Sequence, residues 1–93
     1  MKPQDASYLH FSSKCSRSHQ EQVLEAWNSV VKSIKRESKD EPPRWLMIGW
    51  LSSGCSVEII AVETTLGWLV VHADSPVHKK FRDEIERIER RAR

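Results

Sequence analysis

Ninety-three residues, 39% hydrophobic and 30% charged, suffice for one folded domain over 1–93 and exclude a wholly disordered chain. A chain this short buries only about 60–65% of the surface it exposes when unfolded, so Trp27, Trp45, Trp50 and Trp68 are expected to fill much of a thin core. The net charge of +2 is too mild to mark a nucleic-acid binder by itself.

No window of about 18 apolar residues exists and no apolar leader follows Met1, so the expected setting is the cytoplasm, without a membrane span. Cys15 and Cys55 lie far apart and in no metal-ligand spacing, which reads as two free thiols.

Residues 1–6 make a loose start, and 8–16 are expected as a short helix. Ser18 and Glu21 have capping-box spacing, which predicts a helix start there. Val23, Leu24, Trp27, Val30, Val31 and Ile34 recur at helical intervals. Beyond Trp27 two readings stay open. The helix runs on to about Lys35, or it breaks at Asn28-Ser29 and 30–37 forms an edge strand with Val30, Lys32, Ile34 and Arg36 on one side. Pro42-Pro43 closes a charged loop. Three strands are then expected over 44–51, 55–63 and 67–73, with turns at Ser52-Ser53-Gly54 and over 64–67. Such short connections require antiparallel neighbours. Ser75-Pro76 reads as an N-cap followed by proline at the first helical position. Phe81, Ile85, Ile88 and Ala92 give that helix an apolar face, and Asp83/Arg87, Glu86/Arg90 and Glu89/Arg93 are acid-base pairs four apart. The expected class is α+β: N-terminal helices, an antiparallel meander of three or four strands, and a C-terminal helix.

The basic excess sits at the C-terminal end, where Lys79, Lys80, Arg82, Arg87, Arg90, Arg91 and Arg93 face the acids Asp83, Glu84, Glu86 and Glu89. No metal motif, phosphate loop or nucleophile elbow is present, and no cofactor is expected. His72 closes an apolar strand beside the basic helix. Imidazole exchanges protons near neutral pH, as RNA cleavage by its own 2′-hydroxyl requires, and Arg44 with Lys79 or Lys80 would offset phosphate charge. The alternative is a half-buried strand histidine with a backbone partner. Glu58 lies inside an apolar strand and must be paired or perturbed if buried. One hairpin register sets it against His72, and a one-residue slip sets Ile59 there. His10, Lys14 and Arg17 fall at helical spacing and would form a cationic patch on a first helix, or a solvated face. His19 and His78 read as surface residues.

The run Arg44-Trp-Leu-Met-Ile-Gly49, Gly54, Val57-Glu58-Ile-Ile-Ala-Val62, Gly67-Trp-Leu-Val-Val-His72-Ala73, Pro76 and Lys80-Phe81 resembles the small BrnT-like toxins. The segment His10…Lys14…Arg17 is similar to their N-terminal stretch, with Lys14 at an arginine position, Ser18 at a glycine and Phe11 at a small residue. The resemblance implies the compact RelE/barnase-like ribonuclease fold and a type II toxin that cuts RNA, with a cognate antitoxin covering the site; the absence of a carboxylate cluster suggests that such a nuclease needs no metal. It implies Arg44, His72 and Lys80 as active-site residues. His10, Lys14, Arg17, Lys79 and Arg82 are the expected RNA contacts. The competing reading is a non-catalytic RNA- or protein-binding module, such as a phage-type inhibitor of a host defence complex.

Overall fold

The computed structural model describes residues 9–11, 17–37, 39 and 42–91, with the backbone alone for 9–11 and 17–19. In chain order it contains β1 (Leu9–Phe11), α1 (Arg17–Trp27), β2 (Lys32–Arg36), β3 (Arg44–Trp50), β4 (Ser56–Thr64), β5 (Gly67–Asp74) and α2 (Lys79–Arg91). One sheet runs in the order β1-β5-β4-β3-β2. Strands β2 to β5 form an antiparallel meander, and β1 adds to β5 in parallel. The class is α+β, as expected. The short helix expected over 8–16 is not found at Leu9–Phe11, where the chain is extended against β5. Residues 12–16, including Lys14 and Cys15, lie outside the described residues.

Each face of the sheet takes one helix, because the strands are apolar on both sides. Val23, Ala26 and Trp27 of α1 pack on Met47, Val57, Ile59, Ala61, Trp68 and Val70. Phe81 and Ile85 of α2 pack on Leu46 and Ile48, with Ile34, Ile60 and Val77 beside them. Trp27 and Trp68 are buried and meet edge to face at 5.6 Å, and Trp45 meets Trp68 at 6.1 Å. Trp50, by contrast, is exposed.

The segment after Trp27 resolves to a strand. The single hydroxyl hydrogen of Ser29 is shared between the Glu25 and Trp50 carbonyls, 2.8 and 3.0 Å from Oγ, tying the helix end to the sheet. Ile34 then packs with α2, on the opposite side of the sheet from Trp27. No single helix face reaches both sides, so the helical periodicity through Val30 and Ile34 is broken by topology.

The α1 layer sits close to the sheet at Gly49, where an added Cβ would overlap the Ala26 carbonyl oxygen. The β3–β4 turn closes through Leu51 N–H to the Cys55 carbonyl and Gly54 N–H to the Leu51 carbonyl, with Gly54 at φ 93°. That left-handed geometry suits glycine. Helix α2 begins later than the Ser75-Pro76 signal predicts. The Ser75–Pro76 bond is cis, residues 75–78 form a turn, and the helix opens at Lys79. The His78 carbonyl accepts from Phe81 and Arg82 N–H, so His78 occupies the capping position. Of the expected acid-base pairs, Glu86–Arg90 forms and Asp83 pairs with Lys79 in place of Arg87, while Arg93 of the Glu89/Arg93 pair lies outside the described residues; Glu89 meets Lys32. No helix among the described residues is long and apolar enough to cross a membrane.

Candidate functional site

Glu58 is the one buried carboxylate among the described residues, at 4% exposure. It lies in the middle layer of the molecule, on the α2 side of β4 next to Ile60. A buried carboxylate is tolerated only with donors around it, and Glu58 has three. The His72 Nε2–H donates to Oε2 at 2.7 Å. The backbone N–H and the Nδ1–H of His78 both donate to Oε1, each at 2.8 Å. The carboxylate thereby joins β4, β5 and the start of α2. It also sits at the positive end of the α2 dipole, which favours its charged form.

A bulge in β5 brings His72 to Glu58. Pairing runs Ala61↔Val70 and then Ile60↔His72, so Val71 is the extra residue. Simple alternation puts His72 on the same face as Trp68 and Val70, against α1. The bulge turns it to the α2 face. Directly opposite Glu58 stands Asp74, and His72 reaches Glu58 along the diagonal. Neither register considered from sequence is therefore the one adopted.

The electrostatics follow from these contacts. Burial pushes the Glu58 carboxyl up, but the His78 backbone N–H and the hydrogen bonds from both imidazoles outweigh it and hold the group below its ordinary value. The hydrogen bond and charge of Glu58 raise His78, and Asp74 adds to this with Oδ2 3.7 Å from Nε2. The carboxylate is thus ionised at neutral pH, and each ring keeps one nitrogen outside its bond to Glu58. The His72 and His78 side chains are 43% and 58% exposed, so both rings are open to solvent in part.

The register sets out three rows across the α2 side of the sheet: Lys32–Ile48–Glu58–Asp74, Ile34–Leu46–Ile60–His72 and Arg36–Arg44–Val62–Leu69. Arg44 therefore shares a face with His72, two strands away and one row along, roughly 12 Å between Cα atoms at ordinary strand spacing. Lys80 lies in the first turn of α2, beside the capping His78, and lines a surface cleft of about 530 Å³ with Asp83, Glu84 and Arg87. His72, Arg44 and Lys80 thus fall on one side of the molecule.

Lys14 lies outside the described residues, and the other expected contacts do not gather there. Lys79 pairs with Asp83 at 3.0 Å, which raises its pKa. Arg82 lines a separate groove of about 240 Å³ with Val31, Ile48, Trp50, Ile85 and Glu86. Arg17 opens α1, the helix on the opposite face of the sheet. His10 stands on β1 opposite Leu69, so it shares no helix with Arg17.

His78 is the residue that sequence reasoning placed on the surface without a role. The available signal was indirect: Glu58, set in an apolar strand, needed a second donor, and a histidine follows the turn after the neighbouring strand. Among the described residues no group of three or more His, Cys, Asp and Glu is arranged to hold a metal ion. No protein-family model, curated protein or solved structure matches the chain.

Proposed function

We propose that the protein is a metal-independent endoribonuclease acting as the toxin of a type II toxin–antitoxin pair in the cytoplasm. The observation that carries the chemical part is the pair of exposed imidazoles on one buried carboxylate, His72 and His78 on Glu58. The toxin context rests on the BrnT-like pattern of residues 44–81.

RNA cleavage through the 2′-hydroxyl needs one base and one acid at the same phosphate. His72 gives its Nε2 proton to the bond with Glu58, which leaves the Nδ1 lone pair as base. It takes the 2′-hydroxyl proton as the oxygen attacks phosphorus. His78, raised by Glu58, carries the second proton and delivers it from Nε2 to the departing 5′-oxygen. The products are a 2′,3′-cyclic phosphate and a 5′-hydroxyl. Glu58 is a positioning residue, and Arg44 and Lys80 offset charge on the phosphate.

The test is incubation of the pure protein with RNA in chelator, followed by end-group analysis. Cyclic phosphate ends that disappear in His72→Ala and His78→Ala support the reading, with losses of about 100-fold or more for each acid-base group. Growth arrest on expression, relieved by His72→Ala, tests the toxin role. RNA retained without cleavage, with or without chelator, would instead favour the non-catalytic module.

A further inference from the structure

Helix α2 carries four acids, and each is engaged. Asp83 holds Lys79 at 3.0 Å, Glu84 takes Arg36 bidentately with one bond of 2.8 Å, Glu86 meets Arg90 at 3.4 Å, and Glu89 meets Lys32 at 2.9 Å. Among the described residues Lys80, Arg82, Arg87 and Arg91 have no acidic partner. At 100° per residue, Lys80, Glu84, Arg87 and Arg91 fall within one narrow stripe of the helix. Glu84 is neutralised by Arg36, so the stripe presents three uncompensated cations. It faces outward beside the Arg36–Arg44 row, over a cleft of about 200 Å³ formed by Arg36, Glu84, Arg87, Ile88 and Arg91.

The geometry points to this stripe as a track for the backbone of single-stranded RNA, leading away from the His72–Glu58–His78 cluster. Lys80 to Arg91 spans 11 residues, about 16 Å at the helical rise, which is long enough to meet several consecutive phosphates. The cluster lies at the first turn, where Glu58 accepts the His78 N–H, so the track begins beside the reacting phosphate. Guanidinium groups suit phosphate oxygens through paired N–H donors. This inference deepens the ribonuclease reading and names how its substrate is held.

The experiment uses the double variant Arg87→Gln/Arg91→Gln in the full chain, in wild-type and His72→Ala backgrounds. Both positions are exposed, and an unchanged thermal unfolding curve confirms the fold. In the His72→Ala background, binding of a fluorescent single-stranded 12-mer is measured against salt. The double variant is expected to bind roughly 10- to 30-fold more weakly at 0.1 M salt and to lose about 1.4 units of log–log salt slope, near 0.7 for each single-strand phosphate contact. In the His72-containing background, KM for the 12-mer should rise while turnover of a dinucleoside monophosphate stays unchanged. Equal affinity and slope for variant and parent overturn the track even if cleavage persists. RNA bound with the expected slope but not cleaved removes the catalytic reading and leaves the track standing. A polyglutamate peptide held as tightly as RNA, with the same loss in the double variant, overturns the track in favour of an acidic protein partner.

Discussion

Gly49 and Glu58 show what a single residue decides here. Gly49 lets the Ala26 backbone lie against β3, and any Cβ there must push α1 off the sheet. Gly49→Ala should destabilise the domain by about 1–3 kcal/mol, the usual range for overpacking. That loss lowers the melting temperature by roughly 4–8 °C per kcal/mol in a domain of this size. An unchanged melting curve would show that α1 is free to shift. Glu58 contributes stability on two pH limbs. Its carboxyl is lowered, so its contribution is complete above the ordinary value of 4.5 and is lost as pH falls through the folded value. His78 is raised, so its contribution is complete below 6.5 and is lost as pH rises through its folded value. The urea midpoint of the native chain should therefore fall away on both sides of this window, and Glu58→Gln should flatten both limbs. The same substitution tests Glu58 as a positioning residue. With His78 no longer raised, the alkaline limb of the cleavage profile should move to lower pH. A profile that keeps its shape would detach Glu58 from the chemistry.

Among the elements, β3, β4, β5 and α2 were legible because their signals are local: apolar runs, a Ser-Ser-Gly turn, and the Phe81–Ile85 spacing; β1, expected as part of a helix, was not. The stretch after Trp27 was not, since its periodicity suits a helix while its partners lie on two sides of the sheet. The candidate site was legible only in part. Glu58 and His72 stood out by type, but their contact depends on a bulge, and bulges leave no reliable mark on alternation. His78 was hidden because its role comes from a turn that carries it back over β4. The bulge itself makes a prediction. Removing Val71 gives a regular strand in which Val70 still faces α1 and His72 still faces α2. The deletion should fold and keep the Glu58–His72 hydrogen bond, seen as a downfield imidazole N–H resonance. Loss of that resonance in a folded deletion variant would show that the bulge does more than correct the phase.

Over the whole molecule, the sheet divides two environments: an α1 side containing three indoles, and an α2 side where the candidate chemistry and the cationic stripe of Lys80, Arg87 and Arg91 lie. Trp50 alone among the four tryptophans stands on that second side, 40% exposed in the groove with Arg82 and Glu86. The chain consequently contains two optical probes that need no labelling. Acrylamide should quench a red-shifted emission from Trp50 most strongly, the half-buried Trp45 less, and leave the blue-shifted emission of the buried Trp27 and Trp68 intact. A titrant that settles near α2 would then be seen in the first signal, and loss of the native state in the second.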